Sequence, residues 1–419
     1  MAPTGSAAPE RPALWAPLRH RRFAAYAFAL VISSAGTYAA TVALSFGVLE
    51  SSGPASLALI LLSREVPLVL LVLVGGVIAD RASRRTVLCV SSTIQAASQL
   101  VAAAALTVDT PNVAVLMACA AVNGGAAAFS RPATAGLVPE LVPAAELQPA
   151  NAVLGFAPRI IGIAGAAAGA ALVDVVGAPW ALVFDSLTFV LAAALFGSLG
   201  RTSRPSAGQR ARPFRDFTEG WAVVRGQVWI WGMILAFGMF QFAYFPALSV
   251  LGPEIARTEY GGASAWAVLL SAGLLGGLTG LGIASRIRPR RPLLTVCLVG
   301  IPNVAEIWAL ASGWPLALVA GFAFLGGIGL ALGDTLWVTT LQLRVERDKL
   351  SRVSSFDWLG SLALNPLGYA AVAPLAALIG TRATLAAATC VLALATALPL
   401  LSRQVRQLST PAEGTAAAT

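Results

Sequence analysis

Long apolar segments alternate with short polar connectors along almost the whole chain. Each of twelve segments holds about 20 residues, enough to cross the hydrocarbon core of a bilayer as a helix. We number them spans 1 to 12, and the pattern predicts them at 23–49, 57–79, 86–108, 113–130, 151–173, 179–199, 228–251, 263–284, 292–312, 315–341, 353–378 and 382–402. A transmembrane barrel would instead need alternating segments of about ten residues, and the sequence contains none.

The connector 200–225 is the longest and divides the spans into two groups of six. Its stretch "GRTSRPSAGQRARPF" is too polar to cross a membrane. We therefore predict an all-α membrane protein in which twelve transmembrane helices form two pseudo-symmetric six-helix bundles. The expected parts are a cytoplasmic N-terminal segment 1–22, a bundle 23–199, a cytoplasmic linker 200–227, a bundle 228–402 and a cytoplasmic tail 403–419.

The composition excludes a soluble protein. Hydrophobic residues make up 57% of the chain and charged residues only 11%, whereas a soluble domain carries about 25% charged residues. The mean hydropathy is +0.78. Because so few polar side chains cannot cover a water-facing surface, the lipid bilayer is the expected environment.

The distribution of basic residues predicts the orientation. With a cytoplasmic N-terminus and alternating connectors, 24 of the 28 basic residues fall on the cytoplasmic side. Arg257 and Arg382 fall outside, and Arg64 and Arg159 lie within spans. This bias predicts that both termini are cytoplasmic. The net charge of +9 then faces anionic lipid, so no nucleic-acid partner is expected.

Residues for enzyme chemistry are scarce. The chain has one histidine, and its four cysteines lie far apart within spans. No Gly-rich phosphate loop follows a strand. We therefore expect no catalytic residues, no metal and no cofactor. A chain with 27 Arg and a single Lys indicates a GC-rich bacterial genome, so the expected location is the bacterial inner membrane.

Two stretches repeat about 205 residues apart. "GGVIADRASRRTVLCV" joins spans 2 and 3, and "GLGIASRIRPRRPLLTVCLVG" joins spans 8 and 9. A second, weaker echo relates 137–155 to 341–360. Duplicated halves of this kind are typical of secondary transporters, whose substrate site lies near the bilayer midplane between the halves.

The stretch "GGVIADRASRRTVL" resembles the loop signature of the major facilitator superfamily, and it lies between spans 2 and 3 as that family requires. Further stretches are similar to the subgroup that includes the enterobactin exporter and macrolide efflux proteins. They are "LRHRRFAAYAFALVISSAGTYAATVAL", "FSRPATAGLVPELVPAAELQPANAV" and "TEGWAVVRGQVWIWGMIL". The resemblance covers about residues 14 to 405. It implies a transporter that works by alternating access, and we expect it to act as a monomer on a small-molecule substrate.

The resemblance also implies a gate at this loop. In the family the loop ties the cytoplasmic end of span 2 to span 11 when the inner side is closed. The residues assigned to this gate are Gly76, Asp80, Arg81, Arg84, Arg85 and Asp357. Asp357 is the expected partner of Arg81 or Arg84. The alternative is an ordinary positive-inside loop that happens to contain an acid.

Charged residues inside spans are costly, so they are functional candidates. Arg159 in span 5 and Asp334 in span 10 both lie about 10–12 Å from the cytoplasmic ends of their spans. We predict a charge pair between the halves, with Asp334 as the proton-coupling acid and Glu65 as the alternative. The open alternative is that Arg159 bonds carbonyls of its own span and Asp334 binds water.

Three other intramembrane charges receive structural interpretations. The resemblance implies that spans 6 and 9 are peripheral, so Asp185 and Glu306 are expected in the outer third of these spans, where their carboxylates reach the membrane interface. Arg64 lies at about the depth of Asp185, so a pair within the first half is possible. Arg64 and Glu65 are adjacent, about 100° apart on a helix, so they are not expected to face one cavity.

In the fold that the resemblance implies, spans 1, 4, 7 and 10 line the substrate cavity. The candidate cavity residues are Thr37, Asn123, Phe240, Gln241, Tyr244 and Trp337. Thr37 stands where relatives often carry an acid, and Asn123 where proton antiporters often carry an arginine. Aromatic walls with few polar groups suit bulky amphipathic ligands. Ordinary bundle packing is the alternative explanation of these aromatic residues.

The predicted function is export of an amphipathic small molecule, such as an antibiotic, a siderophore or another secondary metabolite, in exchange for protons. Two alternatives stay open. One is an importer or facilitator of a small polar nutrient, whose cavity normally needs more amide and charged groups. The other is a membrane partner protein that transports nothing.

Overall fold

The computed structural model describes residues 15–81, 83–108, 110–200, 221 and 224–409. Within these ranges it describes the backbone alone at 73–81, 131, 135–136, 144, 347–352, 355 and 358. Every regular element of the described chain is a helix. The helices that supply the spans are Arg21–Arg81, Arg84–Ala105, Val113–Leu141, Leu147–Val176, Ala178–Ser198, Val228–Pro246, Gly252–Glu259, Ala263–Ala284, Pro292–Val299, Ile301–Ala311, Leu316–Arg344, Arg347–Leu362, Asn365–Ile379 and Thr381–Leu401.

The first helix contains spans 1 and 2. Its apolar part, Arg21–Val72, has 52 residues and so measures about 78 Å at roughly 1.5 Å per residue, more than twice the hydrocarbon thickness. Gly53 interrupts it with φ 76° and ψ 177°, a conformation that glycine adopts without steric cost. Pro54 follows, where its missing N–H costs nothing. The predicted connector between the two spans therefore shrinks to a sharp turn.

The described chain contains eleven helices that are long and apolar enough to cross a membrane. The first of them turns at Gly53 and crosses twice, which gives the twelve crossings that the hydropathy pattern predicts. The helix of span 4 continues to Leu141, past the predicted end at residue 130. It continues because Ala133, Leu137 and Val138 are buried in the core of the first half.

Spans 7, 9 and 11 depart from a regular helix. Span 7 contains a π-helical turn at Ala247–Leu251. Span 9 breaks at Gly300 and span 11 at 363–364, each just before a proline, Pro302 and Pro366. A proline ring clashes with the carbonyl four residues before it, which ends the preceding helix.

The two halves repeat the same close contacts between helices. In the first half, span 5 approaches span 1 at Gly165, and span 4 approaches span 2 at Gly124. In the second half, Gly368 of span 11 lies against span 7, and Gly327 of span 10 lies against span 8. At each glycine an added Cβ would clash with the neighbouring backbone. Small residues let membrane helices pack closely, and the repetition confirms the pseudo-symmetry.

The apolar cores show how the halves meet. We call the face at which the helix ends Arg21, Arg84, Arg344 and Arg403 lie the arginine-rich face. Near it the described residues form two separate clusters, one in each half. Toward the opposite face one cluster joins both halves, and its members include Ala166 of span 5 and Trp266 of span 8. The halves are therefore closed toward the opposite face and parted toward the arginine-rich face.

Side-chain hydrogen bonds reinforce the closed side. Ser264 Oγ at the start of span 8 donates to Asp174 Oδ2 near the end of span 5, over 2.9 Å. Deeper in the membrane, Asn365 Nδ2 of span 11 donates to Glu65 Oε2 of span 2, over 3.2 Å. Both bonds connect one half to the other, so they favour this conformation.

Candidate functional site

A cavity of about 690 Å³ lies between the halves. The second half supplies most of its wall, and Tyr38 and Arg159 reach it from the first half. The cavity extends from Trp337 and Asp357, toward the arginine-rich face, to Trp266 and Glu306, toward the closed side. Its size matches the clefts that bind drug-sized ligands.

Span 7 supplies an aromatic wall. Phe237, Phe240 and Tyr244 recur at intervals of three and four residues, and Gln241 and Phe245 follow Phe237 at successive intervals of four. A helix therefore places all five side chains on one broad face, which lines the cavity. The rings of Phe240 and Tyr244 are stacked, with centroids 4.8 Å apart. Phe237 also packs edge-on against Trp337 of span 10, at 5.4 Å. Of the candidate cavity residues, Phe240, Gln241, Tyr244 and Trp337 line this cavity, and their role in binding substrate stays a prediction.

The carboxylates near the arginine-rich end are Asp334 and Asp357. Trp337 Nε1 donates to Asp357 Oδ2 over 2.9 Å, and Asp357 Oδ1 has no hydrogen-bond partner among the described residues. Arg159 and Asp334 line the same cavity across the two halves. In the described chain the Arg159 guanidinium donates instead to Gly155 O of its own helix, over 2.7 Å. The charge pair thus stays a prediction for another state of the cycle.

Glu306 occupies the far end of the cavity, which corrects the sequence-based placement at the membrane interface. Only 2% of Glu306 is exposed. The Tyr244 hydroxyl donates to its Oε2 over 2.8 Å. Asn303, one turn earlier on span 9, also lines the cavity and is fully buried. Span 9 is therefore turned so that its polar face points inward rather than toward the headgroups.

Asp185 is likewise buried rather than interfacial. Its exposure is 0%, and it accepts a hydrogen bond from Gln99 Nε2 over 2.5 Å. Thr37 and Thr188 also donate to this carboxylate. Thr37 and Asp185 are both absent from the residues that line the cavity. The predicted cavity position of Thr37 is thus not observed, because span 1 turns this face toward span 6.

Asn123 and Glu65 also lie away from the cavity lining. Asn123 is buried, and its Nδ2 has no hydrogen-bond partner among the described residues. Arg64 Nη1 lies 3.1 Å from Glu65 Oε1, so these adjacent side chains bend toward each other despite their helical separation. Glu65 then joins the halves through Asn365.

The loop between spans 2 and 3 is described in part. Gly76, Asp80 and Arg81 are described by their backbone alone, so nothing is shown of the contacts of the Asp80 and Arg81 side chains. Arg84 Nη1 binds Glu140 Oε1 over 2.6 Å, within the first half. Arg85 donates to the backbone oxygens of Gly197 and Gly200 at the end of span 6. With the arginine-rich side parted, these contacts belong to the open state, and the predicted link to Asp357 stays a prediction.

Two residues of the cavity wall, Asn303 and Glu306, were not predicted from the sequence to line it. The available signal was their spacing of three residues within an otherwise apolar span, which places both polar groups on one helix face. A polar face inside a bilayer normally turns toward the protein interior. The assumption that span 9 is peripheral outweighed this signal.

A family model and a related protein both place the chain in the same family. Residues 26–361 match the family model described as Major Facilitator Superfamily. An uncharacterized MFS-type transporter of Bacillus subtilis (strain 168), YkuC, is 24% identical over 75% of this chain and 76% of its own length.

Solved structures show the same fold. A bacterial homolog of the human lysosomal transporter Spinster, inward-facing and unoccupied, matches with a TM-score of 0.70, 14% identity and coverage of 94% of this chain and 99% of its own. The nucleoside transporter NupG matches with 0.73, 10% identity and coverage of 91% and 99%. A D-xylose-proton symporter matches with 0.70, 12% identity and coverage of 94% and 100%.

Proposed function

Because the chain belongs to the major facilitator superfamily, it is a multi-pass membrane transporter for a small molecule, and we propose that it exports an amphipathic compound in exchange for protons. The observation that carries this proposal is the wall of the cavity. Four aromatic side chains of span 7 line it together with Trp266 and Trp337. Flat apolar rings bind apolar and aromatic cargo well, while sugars need denser arrays of hydrogen-bonding groups.

The proposal includes an orientation. We assign the arginine-rich face to the cytoplasm of a bacterial inner membrane, because basic connectors are retained on that side during insertion. The cavity then accepts cargo from the cytoplasm, and closure of that side is followed by release outside. The motif resemblance to the enterobactin exporter and macrolide efflux proteins supports the same direction.

We also propose that the loop between spans 2 and 3 locks the closed cytoplasmic side. Asp80 and Arg81 follow the end of span 2, and Asp357 lies near the start of span 11. When the halves approach, an acidic and a basic group from opposite halves form a new pair that is absent while the cavity is open. Charge pairs that exist in one state alone shift the balance between states.

Transport in proteoliposomes tests the function. The purified chain is reconstituted, vesicles with an acidic interior are prepared, and uptake is followed for ethidium, a macrolide, D-xylose and uridine. We expect uptake of an amphipathic compound through proteins whose arginine-rich face points outward. Nigericin, which collapses the pH gradient, should abolish this uptake.

Vesicles without protein give the background. Accumulation of D-xylose or uridine alone would instead establish a carrier of polar nutrients. Movement of none of a broad set of amphipathic and polar compounds would favour a membrane protein without a transport role.

A further inference from the structure

The far end of the cavity holds a compact polar group, which we call the deep site. It consists of Tyr244, Trp266, Asn303 and Glu306, all of which line the cavity. Glu306 lies about 21 Å along span 9 from Pro292 at the arginine-rich end, at roughly 1.5 Å per helical residue. None of the four is more than 5% exposed.

Glu306 has no cationic partner in the part of the chain that the structure describes. The Tyr244 hydroxyl is its hydrogen-bond donor, and no basic side chain among the described residues forms a salt bridge with it. Arg159, Asp334 and Asp357 lie toward the other end of the cavity, and Arg382 on the neighbouring span 12 pairs with Glu259. A buried carboxylate without a counter-ion is strongly disfavoured inside a membrane. It must therefore be protonated or neutralised by a bound cation.

Asn303 adds an unused acceptor. Its Nδ2 donates to Gly326 O over 3.4 Å, and its Oδ1 has no hydrogen-bond partner among the described residues. A Cβ on Gly326 of span 10 would lie 2.6 Å from this Oδ1 and 3.4 Å from Glu306 Oε2, so the two acceptors border the same small space beside Gly326. Buried polar atoms in native proteins are normally paired, so an unpaired acceptor on a cavity wall indicates a missing donor.

Aromatic rings surround these acceptors. Tyr244 is stacked with Phe240, and Trp266 borders the same space. The faces of such rings attract cations. An ammonium group suits the two acceptors and the rings, because it is positively charged, donates several hydrogen bonds and tolerates aromatic neighbours. The Trp266 Nε1 donor, which has no partner among the described residues, needs an acceptor elsewhere on the cargo.

We propose that the deep site binds the ammonium group of a cationic amphipathic cargo, with Glu306 as its counter-ion and Asn303 as a second acceptor. This inference rests on the proposed export function and names the cargo class. Glu306 exchanges one proton for one ammonium group: it binds the proton when the cavity faces outside and releases it to the cavity water as cargo enters from the cytoplasm. The site is neutral in both states. Proton and cargo therefore exclude each other, which couples their opposite movements.

Two fluorescent probes of similar shape, one charged and one neutral, show whether binding depends on the ammonium charge. Monodansylcadaverine carries a primary ammonium group, and its N-acetyl derivative has the same aromatic system without the charge. Binding to the purified full chain in detergent is measured by fluorescence anisotropy. We expect the amine to bind at least about tenfold more tightly than the acetylated probe, because the neutral probe leaves Glu306 unpaired.

Substitutions show which residues cause the preference for the amine over the acetylated probe. Glu306→Gln should bring the two affinities within about twofold, and it should remove the weakening of amine binding at lower pH. Glu259→Gln, a change on the closed face, is the matched control and should keep both properties. Tyr244→Phe retains the ring but removes the donor that stabilises the carboxylate, so amine binding should weaken at a higher pH than in the unmodified chain. This variant also provides a test if Glu306→Gln does not fold.

The proposal is overturned if the unmodified chain binds both probes equally or neither, or if Glu306→Gln keeps the preference. It is also overturned if Asp334→Asn alone removes the preference. The assay needs no ion gradient, so it is independent of transport. If the protein exports neutral and cationic amphipathic compounds equally well, the proposed export function holds, but the deep site does not bind an ammonium group.

Discussion

Replacing Gly165 by alanine tests how tightly span 5 packs on span 1. A Cβ at this position would clash with Ala35 O and would lie 3.0 Å from Ala35 Cα and 3.1 Å from Ala35 C. Ordinary contacts of a carbon atom are about 3.5–4.0 Å, so the two helices must separate by roughly 1 Å. None of these atoms belongs to a side chain that can rotate away, so the backbone has to move.

The free-energy cost of Gly165→Ala is obtained by comparison with a second glycine in the same helix. Gly155, also in span 5, has no atom within 4 Å of an added Cβ. Both alanine variants gain the same helix-propensity term, about 0.5–1 kcal/mol. This gain cancels in the comparison. The difference between Gly165→Ala and Gly155→Ala is then the cost of overpacking, about 1–3 kcal/mol.

The difference in stability between Gly165→Ala and Gly155→Ala is measured by thermal unfolding in detergent. Both variants are heated in steps, and the fraction that remains monodisperse is followed by size-exclusion chromatography. Gly165→Ala should lose its native peak several degrees below Gly155→Ala, while Gly155→Ala should equal or exceed the unmodified chain. Equal melting points for the two variants would refute the close contact between spans 1 and 5.

Three further predictions concern gating, charge coupling and topology. Ser264→Ala removes the bond to Asp174 on the closed face; at about 1 kcal/mol this should shift the balance roughly fivefold toward the state in which that face is open. The shift is measured as faster labelling of cysteines placed on the closed face, and unchanged labelling would contradict it. For Arg159→Ala and Asp334→Ala, a double mutant that transports no worse than either single variant would support a pair formed during the cycle, whereas additive losses would exclude it. A cysteine replacing Ser206, in a chain without its native cysteines, should react with an impermeant thiol reagent only after the membrane is opened, and labelling in intact cells would reverse the orientation.

The position and number of the spans were predictable from the sequence. Each transmembrane helix satisfies its own backbone hydrogen bonds, so hydropathy alone locates it without knowledge of its neighbours. The aromatic positions of span 7 were predictable for a related reason: Phe240, Gln241 and Tyr244 follow helical spacing, and the resemblance placed span 7 on the cavity. The broken helices of spans 9 and 11 also have a local cause in Pro302 and Pro366.

The rotation of each span about its axis was decided only by the tertiary structure. Thr37 turns toward Asp185 instead of the cavity, and Glu306 turns into the cavity instead of toward the interface. Lipid is as apolar as the neighbouring helices, so the hydrophobic pattern around a span does not specify its inward face. Close contacts such as Gly165 against Ala35 fix that rotation, and they depend on a partner distant in sequence. Local composition therefore determines where the spans lie along the chain. The residues of the deep site come together only through the packing of the helices.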